Sequence, residues 1–133
     1  MEMDAVLKAE IVPLLKSKGF KGSYPHFRRI SSDQIDVIGF QFSQWGPQFY
    51  LEVAVAPLDG VTLNDGKHFP PETLKHYHCW PRRRIGEDPF DFENGNFGET
   101  AQKVVDAISE GEDWWQSTNL KQNSQQGEGG NSE

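Results

Sequence analysis

This 133-residue sequence predicts an α+β fold, a single domain in which an antiparallel sheet of about four to five strands, built from hairpins or a meander, packs against an N-terminal and a C-terminal helix. Three observations carry that expectation. Apolar residues recur at helical spacing near the start, then alternate with period two from Tyr24 to Ala56, and return to helical spacing after Asn96. The length suits one domain. Nine Phe, four Trp and three Tyr supply enough burial area for a two-layer core without disulfide or metal.

In the first helix, Leu7, Ile11, Leu14 and Leu15 lie on one stripe, with Asp4 placed to cap it. Lys16 and Lys18 suit the negative end of its dipole, and Gly19 ends it. Pro13 removes the bond to Ala9, which predicts a kink or a late start. The first strand is expected at Phe27–Ile30, with a turn at Ser31, Ser32 and Asp33. In the second, Ile35–Ser43, residues Ile38, Phe40 and Phe42 share one face, while Val37, Gly39 and Gln41 share the other. Trp45, Gly46 and Pro47 connect it to Phe49–Ala56, whose inward face is Phe49, Leu51, Val53 and Val55.

Pro57–Pro71 reads as a surface loop, rich in proline, glycine, Asn64 and Asp65. A fourth strand or a short helix follows within Leu74–Glu87, and Pro81 suits an edge strand. Phe90, Phe92 and Phe97 need cover. The last helix starts at Asn96 as a side-chain cap, with Glu99 three residues on. It buries Phe97, Ala101, Val104, Val105 and Ile108, and Gly111 is placed to stop it, leaving Trp114 and Trp115 as clamps over the edge of the core. The domain is therefore 1–116, and 117–133, almost wholly Gln, Asn, Ser, Gly, Lys and Glu, is expected to be a disordered tail.

A single cysteine, Cys79, cannot close an internal disulfide, and Met1–Lys8 has neither a basic start nor an apolar run suited to secretion, so the expected address is cytoplasmic. No apolar run is long enough to span a membrane. The net charge of -7 argues against nucleic acid as a partner, because that affinity comes mostly from cations displacing counterions. The charge is uneven: Met1–Arg84 carries +2 and Ile85–Glu133 carries -9.

Four landmarks occur in a recognisable order: Leu14–Phe20 (LLKSKGF), Phe27–Arg29, Gly39–Gly46 (GFQFSQWG), and Cys79–Gly86 (CWPRRRIG) with Trp114 and Trp115 behind it. In these the chain resembles a bacterial family catalogued as domain of unknown function 4304. The resemblance implies a helix on an antiparallel sheet with a second helix near the end. It implies no reaction, no cofactor and no catalytic residue, and Glu87–Asp113 departs from the pattern as a long intervening segment.

Two constellations could carry chemistry. Arg82 and Arg84, which share a strand face that Arg83 does not, could join Arg28 and Arg29 in a fork for phosphate or carboxylate. Against that stands pairing with Asp88, Glu112 or Asp113. His76, His78 and Cys79 are zinc-type ligands, with His26 and His68 elsewhere, but their spacing matches no paired-ligand motif. Cys79 with a neighbouring histidine could be written as nucleophile and base, and Asp36 with Glu52 as an acid pair, although no phosphate loop, nucleophile elbow, HExxH or CxxC is present.

Two functions follow as expectations. The first is a non-enzymatic protein-binding module of immunity or regulatory type, with Trp45, Trp114 and Trp115 as anchors for a basic partner. The alternative is an enzyme or sensor for a small anionic ligand gripped by the arginines. Oligomeric state is open.

Overall fold

The computed structural model describes residues 2–119. The elements in chain order are α1 (Glu2–Ser17), β1 (Lys21–Ser23), β2 (His26–Ile30), β3 (Ile35–Phe42), β4 (Gln48–Ala56), β5 (Val61–Thr62), β6 (His68–Phe69), β7 (Arg82–Asp91) and α2 (Phe97–Ser117). Single 3-10 turns occupy Pro71–Thr73 and His76–His78. Five strands form one antiparallel sheet in the order β1-β2-β3-β4-β7, and β5 and β6 make a separate small hairpin. The expected α+β architecture, with a helix near each end of the chain, is the one observed.

The period-two pattern divides the sheet into two faces. Phe27, Ile38, Phe40, Phe49, Leu51, Val53, Val55 and Ile85 point to the side covered by both helices. Ile35, Val37, Ala54 and Ala56 point to the other, where Leu74 and Cys79 of the 57–81 excursion cover them. Phe90 and Phe92 find their cover on the helix side, Phe90 stacked on Phe49 with centroids 4.9 Å apart.

Helix α1 buries Met3, Leu7, Ile11 and Leu15, with Leu14 at the margin. Pro13 lies on its exposed face and the helix runs through it from Glu2, so the expected late start does not occur. Asp4 is inside the first turn, where it accepts a 2.7 Å bond from the Tyr24 hydroxyl and ties the helix to the β1–β2 turn. Gly19, at φ +95°, ends α1 as expected, with Phe20 N donating to Leu15 O and Gly19 N to Lys16 O.

Two expectations for α2 are corrected. Asn96 makes no side-chain cap; its carbonyl accepts from Thr100 N, and its buried Oδ1 has no partner. Gly111 is not a stop. It lies within the helix where a Cβ would meet Ile85 Cδ1 at 3.1 Å and Val53 Cγ1 at 3.5 Å, so glycine here lets α2 lie close on the sheet. The helix therefore continues to Ser117, Thr118 caps it with its N–H on the Trp114 and Trp115 carbonyls, and Asn119 Nδ2 donates to Asp33, so the first three residues of the expected tail are ordered; 120–133 lie outside the described residues. The continuation of α2 turns Trp115 inward, 2 % exposed, with Nε1 donating to Ala54 O at 3.0 Å.

Between β4 and β7 the chain leaves the sheet and returns. The excursion holds the β5–β6 hairpin and both 3-10 turns, then enters β7, which pairs only with β4 and is an edge strand, as Pro81 suggests. His76 is seated over Gly39, whose missing side chain makes the space. Among the described residues no helix is long and apolar enough to cross a membrane.

Candidate functional site

Successive residues of β2 face opposite sides of the sheet, which separates Arg28 from Arg29. Arg29, on the helix side, donates to Asp36 at 2.9 and 3.1 Å and to Glu112 at 2.5 and 3.1 Å, and it lies over the Phe20 ring at 4.5 Å. Burial opposes its charge, but the hydrogen bonds of Glu112 and Asp36 outweigh it and hold the guanidinium protonated. Burial pushes the Asp36 carboxyl up, and the Arg29 bond pulls Glu112 down. Arg29 is thus a neutralised strut between sheet and α2.

Arg28 faces the excursion. Its Nε donates to Leu74 O at 3.0 Å, and its partial burial lowers its pKa. It lines a groove of about 930 Å³ between the β1–β2 edge and the excursion, shared with Tyr24, His26, Lys67, Glu72, Lys75 and His78. Three cations, Arg28, Lys67 and Lys75, stand there against one carboxylate, Glu72. Among the described residues none of the three is in a salt bridge.

The histidines of the groove are uncharged near neutrality. His26 is lowered to about 4, first by burial and then by Lys75, His76, Arg28 and His78, and its buried Nδ1 has no partner. Burial, with Lys75 and Lys67, lowers His78 too. His78 Nδ1 accepts from Lys75 N at 3.2 Å, and its ring stacks on Phe69 at 3.7 Å, fixing the β5–β6 hairpin to the 3-10 turn. Lys67 lies over the other aromatic partner, Phe69, at 5.1 Å.

The remaining sequence candidates do not gather here. Arg28, Val37, Ala54 and Arg82 stand in one row across four strands, which sets Arg28 and Arg82 three strand spacings apart, about 14 Å. Leu74 and Cys79 cover the middle of that row, so the four-arginine fork does not form. Arg84 pairs with Asp88 at 3.0 Å and lies 3.8 Å over the Tyr50 ring, while Arg83 reaches Glu110 at 3.9 Å. Pairing with the acidic half therefore describes Arg29, Arg83 and Arg84, but not Arg28.

His76 and His78 do not share a face, because they sit in a 3-10 turn with three residues per revolution rather than in a strand. His76 turns inward and its Nδ1 bonds Glu52 at 2.5 Å; burial lowers its pKa against the pull of that carboxylate. Among the described residues no three His, Cys, Asp or Glu side chains come together as metal ligands. Cys79 is buried, donates to Lys75 O, and burial pushes its thiol up to about 11, the reverse of an activated nucleophile. Asp36 and Glu52 lie on opposite faces of the sheet and form no acid pair.

Of the three tryptophans expected as anchors, Trp115 belongs to the core and cannot anchor a partner. Trp114 packs against the core's margin beside Arg83 and Asp113. Trp45 stands at the β3–β4 turn, 90 % exposed. Sequence reasoning missed Lys67, Lys75, Tyr24 and Glu72, which come from turns and loops without period.

The model of the family described as Domain of unknown function (DUF4304) matches residues 11–123. The chain belongs to that family. The match runs through 87–113, so the segment that seemed to depart from the family pattern lies within the family's span. No curated protein and no solved structure matches the chain.

Proposed function

We propose that this domain is a binding module of sensor or regulatory type whose ligand is a small anion held in the groove between β2 and the excursion. The observation that carries it is three cations that, among the described residues, are in no salt bridge, one of them a partly buried guanidinium, gathered on a chain of net charge -7. Arg28 donates to one carbonyl and feels Glu72 only beyond salt-bridge distance, and desolvating a guanidinium on those terms is unfavourable unless an anion repays it. Arg28 supplies a planar fork, Lys67 and Lys75 supply point charges, and Ser23 and Thr73 stand in the same lining as hydroxyl donors. Neutral His26 and His78 add donors without adding charge. Of the anchors expected for a basic protein partner only Trp45 is fully exposed, and Glu87, Asp88, Glu110 and Glu112 of the acidic half pair within the domain.

The test is calorimetric titration of the full chain with inorganic phosphate, pyrophosphate and acetate at low salt. Phosphate and pyrophosphate bind the wild type, and Arg28→Gln or Lys75→Gln weakens them at least about tenfold, the loss of one charged hydrogen bond. Arg84→Gln leaves binding unchanged, because Arg84 belongs to the far edge of the sheet. Absence of binding by the wild type, or equal loss in Arg84→Gln, contradicts the proposal.

A further inference from the structure

A second, smaller pocket of about 330 Å³ adjoins the groove and shares Gly22, Arg28 and Glu72 with it. Its other walls are Gly19, Lys21 and Ile30. Gly19 and Gly22 both hold positive φ, +95° and +130°, and a Cβ on Gly22 would strike the His26 carbonyl, so that floor is bare backbone for conformational reasons. Ile30 is a large apolar residue left 55 % exposed at the end of β2, on the same face as Arg28. Lys21 and Arg28 close the pocket, and Arg28 Nη1 would lie 3.3 Å from a Cβ on Gly22, so the guanidinium reaches the bare floor that the two cavities share.

Arg28 thus stands at the junction of two unlike cavities, a wide cationic groove and a narrow recess with an aliphatic wall. Each falls within the size range of small-molecule sites. A ligand that is anionic throughout would leave Ile30 wet, and one that is apolar throughout would leave three cations unpaired. We infer that the ligand is a soluble amphipathic anion, whose phosphate or carboxylate head lies on Arg28, Lys67 and Lys75 and whose short hydrocarbon portion lies against Ile30. This rests on the anion-site reading above and specifies its ligand class. Glu72, lining both cavities, disfavours a second negative charge on the ligand's tail.

The experiment titrates the full chain with inorganic phosphate, ethyl phosphate, butyl phosphate and hexyl phosphate in parallel. For the wild type the affinity rises along the series, by up to about fourfold per methylene buried, until the recess is filled. Ile30→Ser, a neutral change at an exposed position, removes the apolar contact and abolishes the rise along the series while phosphate itself still binds. Phosphate binding with affinity flat along the series overturns this inference and leaves the anion site standing; no phosphate binding overturns both. Attachment to anionic phospholipid vesicles as strong as attachment to hexyl phosphate places the ligand in a bilayer and overturns the soluble amphiphile.

Discussion

Arg28 and Arg29 are adjacent on one strand and meet opposite fates. Arg29 points under the helices, where two carboxylates and the Phe20 and Trp115 rings surround it. Arg28 points to the excursion, where the Leu74 carbonyl bonds it and, among the described residues, no carboxylate comes within salt-bridge distance, Glu72 acting on it from farther off. The helix face is thick, with twenty buried apolar residues in one cluster, so a charge there survives only when fully matched. The excursion face has a core of six, capped by irregular chain, and its rim stays open enough to leave cations unmatched. The same residue type is structural on one side of the sheet and available for a ligand on the other.

The largest effect belongs to the helix face. Trp115→Ala should cost about 3–5 kcal/mol in chemical denaturation, because it removes a buried indole together with its hydrogen bond to the Ala54 carbonyl. Next comes Arg29→Ala, with a loss of about 2–3 kcal/mol; a fully buried pair would cost more, but Glu112 is near enough to water to hydrate. Adding Asp36→Asn to Arg29→Ala should recover part of that loss, since the stranded carboxylate is then gone. Arg28→Ala should change stability by only about 1 kcal/mol, one hydrogen bond to a carbonyl, while abolishing phosphate binding. If Arg28→Ala proves as destabilising as Arg29→Ala, the contrast between the two faces fails.

The excursion face should also set the pH response. His26 has its ordinary value of 6.5 when unfolded and about 4 when folded, so between those values the unfolded chain binds more protons. Stability is therefore full above about 6.5 and falls as pH drops toward 4, with His76 and His78, also lowered, acting in the same direction. Thermal melts from pH 8 to 4 should show this fall, and His26→Gln should flatten it. An anion in the groove offsets the part of this lowering that Lys75 and Arg28 cause, so phosphate binding should move the His26 titration upward. The smallest effect is Trp45→Ala, expected within about 0.5 kcal/mol of wild type because the ring is solvated.

The sheet was legible because alternation in Ile35–Phe42 and Phe49–Val55 allows only one assignment of faces. Gly19 was legible as a helix end, but Gly111 was not legible as a close contact: a glycine reads alike whether it stops a helix or lets a strand approach, and only the packing of Ile85 tells them apart. Misreading Gly111 placed Trp115 at the surface. Arg28 was found among the site candidates, yet its partners were not, because Lys67 and Lys75 lie in turns whose positions follow from His76 seating over Gly39. That contact joins residues far apart in sequence and leaves no periodic trace.

Titration of isotopically labelled full-length protein with inorganic phosphate, followed by backbone amide NMR, tests the central claim most directly. The account predicts shifts concentrated at Gly22–Arg28, Lys67–Phe69 and Glu72–His78, with Arg82–Arg84 and the helix face still. Shifts concentrated at Arg82–Arg84, or none at any residue, would contradict it.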